Sequence, residues 1–185
     1  MSMSIRSKSR TAFLLLALAW SGVAGAGGRF VAELVRVTDG DTIVVRGADQ
    51  KVETVRLAFI DAPERDQPWG AEATGVMQRL TAGRWLTVEW HTTDRYGRRV
   101  GVVYVSHPAA ECLGLKTCPR DLDAGQTMIQ AGVAWWYRSY AREQPAAARE
   151  RYANFERLAR ERRKGLWRDY DPIPPWQWRR AKRGR

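Results

Sequence analysis

Sulfur and imidazole are scarce in this chain. Only two cysteines and two histidines occur among 185 residues, and the close cysteine pair lacks the further ligands nearby that a zinc site needs. Long apolar runs are lacking as well. The run from Thr11 to Trp20 is about half of the roughly 20 residues that a membrane span needs. No internal repeat is present, which excludes a repeat array. Acids are absent from the first 26 residues, where Arg6, Lys8 and Arg10 precede the apolar run and small residues close on Ala24-Gly25-Ala26. That layout predicts a secretory signal peptide over residues 1–26. The expected product is exported, periplasmic or secreted, with no stable membrane span after cleavage. Cys112 and Cys118, close together in a stretch with Pro108, Gly114 and Pro119, are then expected to form a local disulfide in an oxidising compartment.

Removing 26 of the 185 residues leaves 159, enough for one domain with a core. Three of the 31 basic residues go with the leader, so 28 face 20 acids, an excess of +8. A charge of that sign points to polyanionic partners, nucleic acid or an anionic surface. The domain is expected over residues 27–170. Residues 171–185 read as a proline-rich strap, with Asp171-Pro172-Ile173-Pro174-Pro175-Trp176 too rich in proline to continue a helix, followed by a mobile basic tail from Arg179.

Strand patterns run over Arg29–Val37, Thr42–Val45, Val52–Ile60, Trp85–Trp90 and Arg99–Val105, with the turn signal Asp39-Gly40 after the first. Helical spacing links Ala73, Val76, Met77 and Leu80, with Gly83 as a stop. A shorter helix is expected over Leu122–Ala131, ending at Gly132. Ala148, Tyr152, Phe155 and Ala159 make the clearest stripe, closed by Gly165. The fold class is therefore α+β and mainly β: a five-stranded OB-type Greek-key barrel with about three helices.

Three segments carry more polar chemistry than a barrel needs. Asp39-Gly40-Asp41-Thr42 is a turn entering a strand. Arg56-Leu57-Ala58-Phe59-Ile60-Asp61-Ala62-Pro63-Glu64 sets an arginine and two carboxylates around an apolar strand end. Asp94-Arg95-Tyr96-Gly97-Arg98 is a hairpin turn rich in cations. Two carboxylates and a backbone carbonyl suit a hard cation such as calcium. Two arginines can grip phosphoryl oxygens as charge develops, and a further carboxylate can take a proton from water. His91 and His107 lie outside these segments and read as a solvated strand end and a loop.

In order and interval, the three segments resemble the active-site segments of the thermonuclease (staphylococcal nuclease-like) family: Asp-Gly-Asp-Thr, Arg-Leu followed by Asp-x-Pro-Glu, and Asp-Lys-Tyr-Gly-Arg. The similarity runs from about Val35 to Trp167 and includes Gly132-Val133-Ala134 and Gly165-Leu166-Trp167. The resemblance implies a calcium site at Asp41, Asp61 and the main-chain carbonyl of Ala62, which stands where the family prototype has threonine. It makes Glu64 the general base and Arg56 and Arg98 the arginines on the scissile phosphate. Arg95, in place of the family's lysine, and Tyr96 would contact a neighbouring phosphate. Tyr140 matches a nucleotide-contacting tyrosine. The other falls on Arg138, so that Tyr137 substitutes for it or a base stacks on Trp135 or Trp136, two residues that ordinary core or surface packing also explains. The implied activity is hydrolysis of DNA and RNA, single strands preferred, leaving 3′-phosphate ends, by a calcium-dependent monomer. The rival class is an inert OB-type nucleic-acid-binding module at the cell envelope, which has no need of three acids beside a phosphate.

Overall fold

The computed structural model describes residues 27–107 and 111–184; the expected signal peptide lies outside the described residues. Strands β1 (Gly28–Val37), β2 (Thr42–Gly47) and β3 (Val52–Leu57) form an antiparallel meander. After a short β4 (Ile60–Asp61) and helix α1 (Gly70–Thr81), the chain returns as β5 (Trp85–Thr93) and β6 (Arg99–Val105). β5 pairs antiparallel with both β1 and β6. A parallel pairing of β3 with β6 then joins the two edges, closing a five-stranded OB-type barrel. Closure leaves none of these five strands as an open edge along its whole length.

The core follows from the alternation of side chains along the strands. Val55 and Leu57 of β3, Leu86 and Val88 of β5, and Val103 and Val105 of β6 all point inward and are buried. Ala73, Met77 and Leu80 seal one end from α1. Gly101 lies where β6 crosses the register shift in β5. A Cβ there would sit 2.3 Å from the Glu89 carbonyl oxygen and 2.5 Å from Trp90 Cα, so only glycine fits this crossing.

The strand expected over Val52–Ile60 stops at Leu57. Phe59 takes a left-handed conformation (φ 68°), and the chain leaves the barrel so that Ile60 and Asp61 pair with a short β8 (Trp135–Trp136). The helix expected from Leu122 starts two residues later. Leu122–Asp123 is a bridge strand, β7, on Tyr104 and Val105. Asp123 then caps α2 (Ala124–Gln130), its carboxylate accepting from the Gln126 amide at 3.1 Å. At Gly132 (φ 73°) a Cβ would lie 2.3 Å from the Lys164 carbonyl oxygen. The close approach lets the turn after α2 dock against the end of α3 (Ala146–Glu161), where Leu166 donates to the Gly132 carbonyl at 2.8 Å.

The C-terminal segment is not a basic tail. Residues 171–174 are extended, but Pro175–Arg183 forms a fourth helix, α4. Pro175 occupies its first turn, where a missing N–H costs nothing. Trp176 packs edge-on against Trp135 (ring centroids 6.3 Å) beside a second apolar cluster of Trp135, Ala159, Leu166 and Trp167. Among the described residues no helix is long and apolar enough to cross a membrane.

Candidate active site

The three polar segments meet in one cleft of about 860 Å³ at the barrel's end. Asp41 stands at the head of β2. Its Oδ1 accepts from the Thr42 hydroxyl at 2.9 Å, its Oδ2 from the Ala62 amide at 3.2 Å, and its own amide donates to Asp39 Oδ1 at 3.0 Å. Thr42 pairs with Arg56 across β2–β3, and Arg56 with Val100 across β3–β6. Barrel closure thus brings the Asp41 turn, Arg56 and the Asp94–Arg98 loop to one rim.

Arg56 is the hub. Its Nη1 donates to the Leu57 and Ile60 carbonyls at 2.9 and 3.1 Å, and its Nη2 lies 3.1 Å from Asp61 Oδ1 and 3.2 Å from Asp41 Oδ2. Burial alone would lower its pKa, but the Asp41 and Asp61 charges raise it, so it is a permanent cation. Asp61 is fully buried. Burial raises its pKa, opposed by the guanidiniums of Arg179 and Arg56. Asp39 is raised to about 7, first by burial and then by the neighbouring Asp41 charge.

Asp94, which also lines the cleft, organises a tight loop. Its Oδ1 accepts from the Tyr96 and Arg98 amides at 2.9 and 3.0 Å, and its Oδ2 from Arg98 Nε and Nη2, each at 2.8 Å. Burial works against the charge, but these bonds to Arg98 and Tyr96 hold the Asp94 carboxyl below its usual range. Arg98 is thereby oriented with Nη1 still available, and Tyr96, 72% exposed, lies beneath the guanidiniums of Arg95 and Arg98. Tyr137 and Tyr140 line the same cleft with their rings 5.2 Å apart, edge to face.

The alternative stacking platforms do not reach the cleft. Trp135 is 3% exposed, and Trp136 is 9% exposed with its indole N–H donating to Gln144 Oε1 at 3.1 Å. Both are core residues, so of these four aromatics only Tyr137 and Tyr140 line the cleft. His91 lines the cleft stacked on Phe59 at 5.7 Å.

Glu64 sits on a turn closed by Gln67, whose amide donates to the Glu64 carbonyl at 2.9 Å and whose Oε1 accepts from the Glu64 amide at 3.1 Å. The buried Gln67 side chain also donates to the Ile173 carbonyl at 2.6 Å, tying this turn to the C-terminal segment. From there comes the residue that the sequence reading missed. Arg179 Nη1 lies 2.7 Å from Glu64 Oε1 and 3.1 Å from Asp61 Oδ1, while Nη2 lies 2.7 Å from Asp61 Oδ2. Its pKa is raised, chiefly by the bonds to Asp61 and Glu64. The available signal was Pro175 followed by Trp176, Arg179, Arg180 and Arg183 at helical spacing.

No group of three or more His, Cys, Asp or Glu side chains among the described residues is arranged to hold a metal ion. What the site offers is two carboxylates, Asp41 lining the cleft and Asp61 fully buried, spanned by one arginine, with Ala62 next to Asp61 in the chain and hydrogen-bonded to Asp41. This all-oxygen set fits a hard cation that keeps part of its water shell and does not fit zinc. The Asp41 charge that adds to burial in raising Asp39 also favours a cation there.

A closed OB-type barrel with carboxylates and arginines converging at one rim defines a phosphoryl-transfer class of site. The staphylococcal nuclease homologue family model matches residues 54–169. The chain is 39% identical over 149 residues to an uncharacterized endonuclease of Escherichia coli O157:H7, covering 80% of this chain and 84% of that protein. It is 39% identical over 160 residues to a micrococcal nuclease of Shigella flexneri, covering 82% of each. It is also 36% identical over 182 residues to protein ParB of Escherichia coli, covering 98% of this chain and 93% of that one. The chain belongs to the staphylococcal nuclease family, whose activity is that of a nuclease.

Proposed function

We propose that this nuclease is an exported, calcium-dependent hydrolase that cuts phosphodiester bonds of DNA and RNA with little sequence preference and leaves 3′-phosphate ends. The observation that carries the reading is the convergence of Asp41, Arg56, Glu64 and Arg98 in one cleft, with the buried Asp61 paired to Arg56. A binder without catalysis leaves the buried Asp41 and Asp61 without a purpose.

Asp41, Asp61 and the Ala62 carbonyl would hold the calcium ion. Bound there, the ion supplies a Lewis acid for a phosphoryl oxygen. Arg98, braced by Asp94 through Nε and Nη2, turns Nη1 toward the phosphoryl group and stabilises the charge that builds up as water attacks. Arg56 neutralises the carboxylate pair from below and fixes its geometry. Arg179 engages Glu64 through Oε1, and Oε2 is the oxygen that takes the proton from the attacking water. The water oxygen bonds to phosphorus as the bond from phosphorus to the 5′ oxygen breaks; the leaving 5′ oxygen takes a proton from solvent to become a hydroxyl, and the phosphate stays on the 3′ oxygen.

Tyr137 and Tyr140 provide faces on which any base can stack, and Arg95 with Tyr96 reaches a neighbouring phosphate. Nothing in the cleft is arranged to read base edges, so discrimination between sequences is expected to be weak. A single strand, whose bases can turn aside, fits this cleft better than a duplex. The Cys112–Cys118 disulfide supports an oxidising destination, in line with the expected leader.

The test is incubation of the purified protein with single-stranded DNA in chelator, in calcium and in magnesium. Cleavage in calcium, loss in chelator and weak turnover in magnesium are expected, because the smaller ion demands stricter geometry. Full activity in excess chelator overturns the proposal.

A further inference from the structure

Helix α4 carries four basic residues, and they divide into two pairs. Arg179 and Lys182 are engaged with the protein, the first on Asp61 and Glu64 and the second on Asp66. Arg180 and Arg183 are exposed, and among the described residues neither has an ion-pair or hydrogen-bond partner. Yet both line the cleft that holds Asp41, Arg56 and Arg98. With Trp176 and Arg179 they fall at helical spacing i, i+3, i+4 and i+7, so one stripe of the helix faces the cleft.

The helix is fixed in that orientation. Trp176 is packed on Trp135 and lies 5.8 Å from the Tyr137 ring, Arg179 grips the carboxylates, and Gln67 holds the Ile173 carbonyl just before the helix. Arg95 and Tyr96 line the same cleft. Two cations without partners, held on a braced helix in a cleft already bearing a guanidinium wall, form a site for several negative charges spaced along a chain. We propose that α4 is a second phosphate-binding wall of the substrate cleft. In it Arg180 and Arg183 take phosphates flanking the scissile one, so that a polynucleotide strand is held on both sides while a dinucleotide is held on the first side alone. The proposal rests on the nuclease reading of the cleft. Nucleic acid is favoured over an anionic membrane because the arginines face the cleft and the helix's Trp176 is packed against Trp135 and is not left outward.

The test measures binding, without turnover, on the full chain. Fluorescence anisotropy of a 12-nucleotide single strand, in chelator and over a range of salt, is compared for wild type, Arg180→Ala/Arg183→Ala and the charge-matched Arg46→Ala/Arg162→Ala. Both control arginines are exposed and lie outside the cleft. Loss of two phosphate contacts should reduce the slope of log Kobs against log salt by about 1.4 and weaken binding roughly 10–30-fold near 0.1 M salt. The control pair should change the slope far less, and the effect should fall away for a dinucleotide. Arg180→Lys/Arg183→Lys should recover most of the slope, because flanking phosphates need charge more than a planar fork. Equal slopes for the cleft pair and the control pair overturn the proposal, as does an equal loss on the dinucleotide. Loss of binding to phosphatidylglycerol-containing vesicles with unchanged oligonucleotide binding overturns it in favour of a membrane. Failure of wild type to cleave in calcium would instead sink the nuclease reading, and the two failures are read in separate assays.

Discussion

Asp61 and Asp123 are both buried carboxylates whose pKa burial raises, and they are satisfied in opposite ways. Asp123 is held by neutral donors: the Gln126 amide at 3.1 Å, the Gln126 side chain at 2.8 Å and the Tyr152 hydroxyl at 2.8 Å. Each belongs to α2 or α3, so the cluster pins helix to helix. Asp61 is held by the guanidiniums of Arg56 and Arg179, which reach it from a strand and from the last helix. Neutral donors on rigid elements make a fixed joint. Cationic donors on long side chains make a set of charges that a cation or a phosphate can rearrange, because each partner has an alternative partner of comparable strength. The difference separates structural acids from working ones where burial alone does not.

The comparison breaks most visibly at the working end. Glu64→Gln keeps size and hydrogen bonding but cannot accept a proton, and turnover on single-stranded DNA in calcium should fall by roughly 10²–10⁴-fold. An unaltered rate would mean that another group is the base. Arg98→Ala should slow cleavage by about 10²–10³-fold while leaving DNA affinity in chelator nearly intact, and Arg98→Lys should recover little. Equal losses of rate and affinity would make Arg98 a binding cation only.

At the fixed joint, Tyr152→Phe should cost about 1–3 kcal/mol of stability by urea unfolding, with cleavage per folded molecule unchanged. The loss should be larger at pH 7 than at pH 4. Asp123 has a folded pKa above its unfolded value, so its contribution is most favourable at low pH and declines as pH rises through the folded pKa. Removing the hydroxyl that stabilises its charge raises that pKa further and deepens the decline. A pH-independent loss would show that Asp123 stays neutral throughout. The smallest effect concerns Arg179, which takes both Asp61 oxygens. A calcium ion at Asp61 has to displace it, so Arg179→Ala should tighten calcium binding about 3–10-fold by calorimetry. Weaker binding would mean that arginine and ion share the carboxylate.

The barrel was legible because its strands alternate and because Gly40, Gly97 and Gly132 mark the turns between elements. The residues that gather at the candidate site were legible where they lie within a few positions of one another: Asp41 beside its turn, Arg56 through Glu64 on one strand end, Arg98 on the loop that Asp94 organises. Two things escaped. The strand break at Phe59 requires a left-handed backbone at a bulky aromatic, and an apolar run gives no hint of it. Arg179 was hidden because consecutive prolines read as an interruption, whereas the second of them starts a helix. Trp135 and Trp136 were open to two readings, base stacking or ordinary packing, and packing is the outcome: β8 pairs with β4 and buries both.

The contact between Asp61 and Arg179 spans 118 residues of chain. At about 5–20 residues per second, synthesis delivers the arginine roughly 6–24 s after the carboxylate it will hold. Closing so long a loop adds entropy cost only slowly with length, but it must await the last helix. A chain cut before Pro175 would keep the whole barrel and every residue of the three polar segments, yet leave Asp61 buried with one guanidinium instead of two. In time as well as in space, α4 is the closing stroke on a site begun at β2.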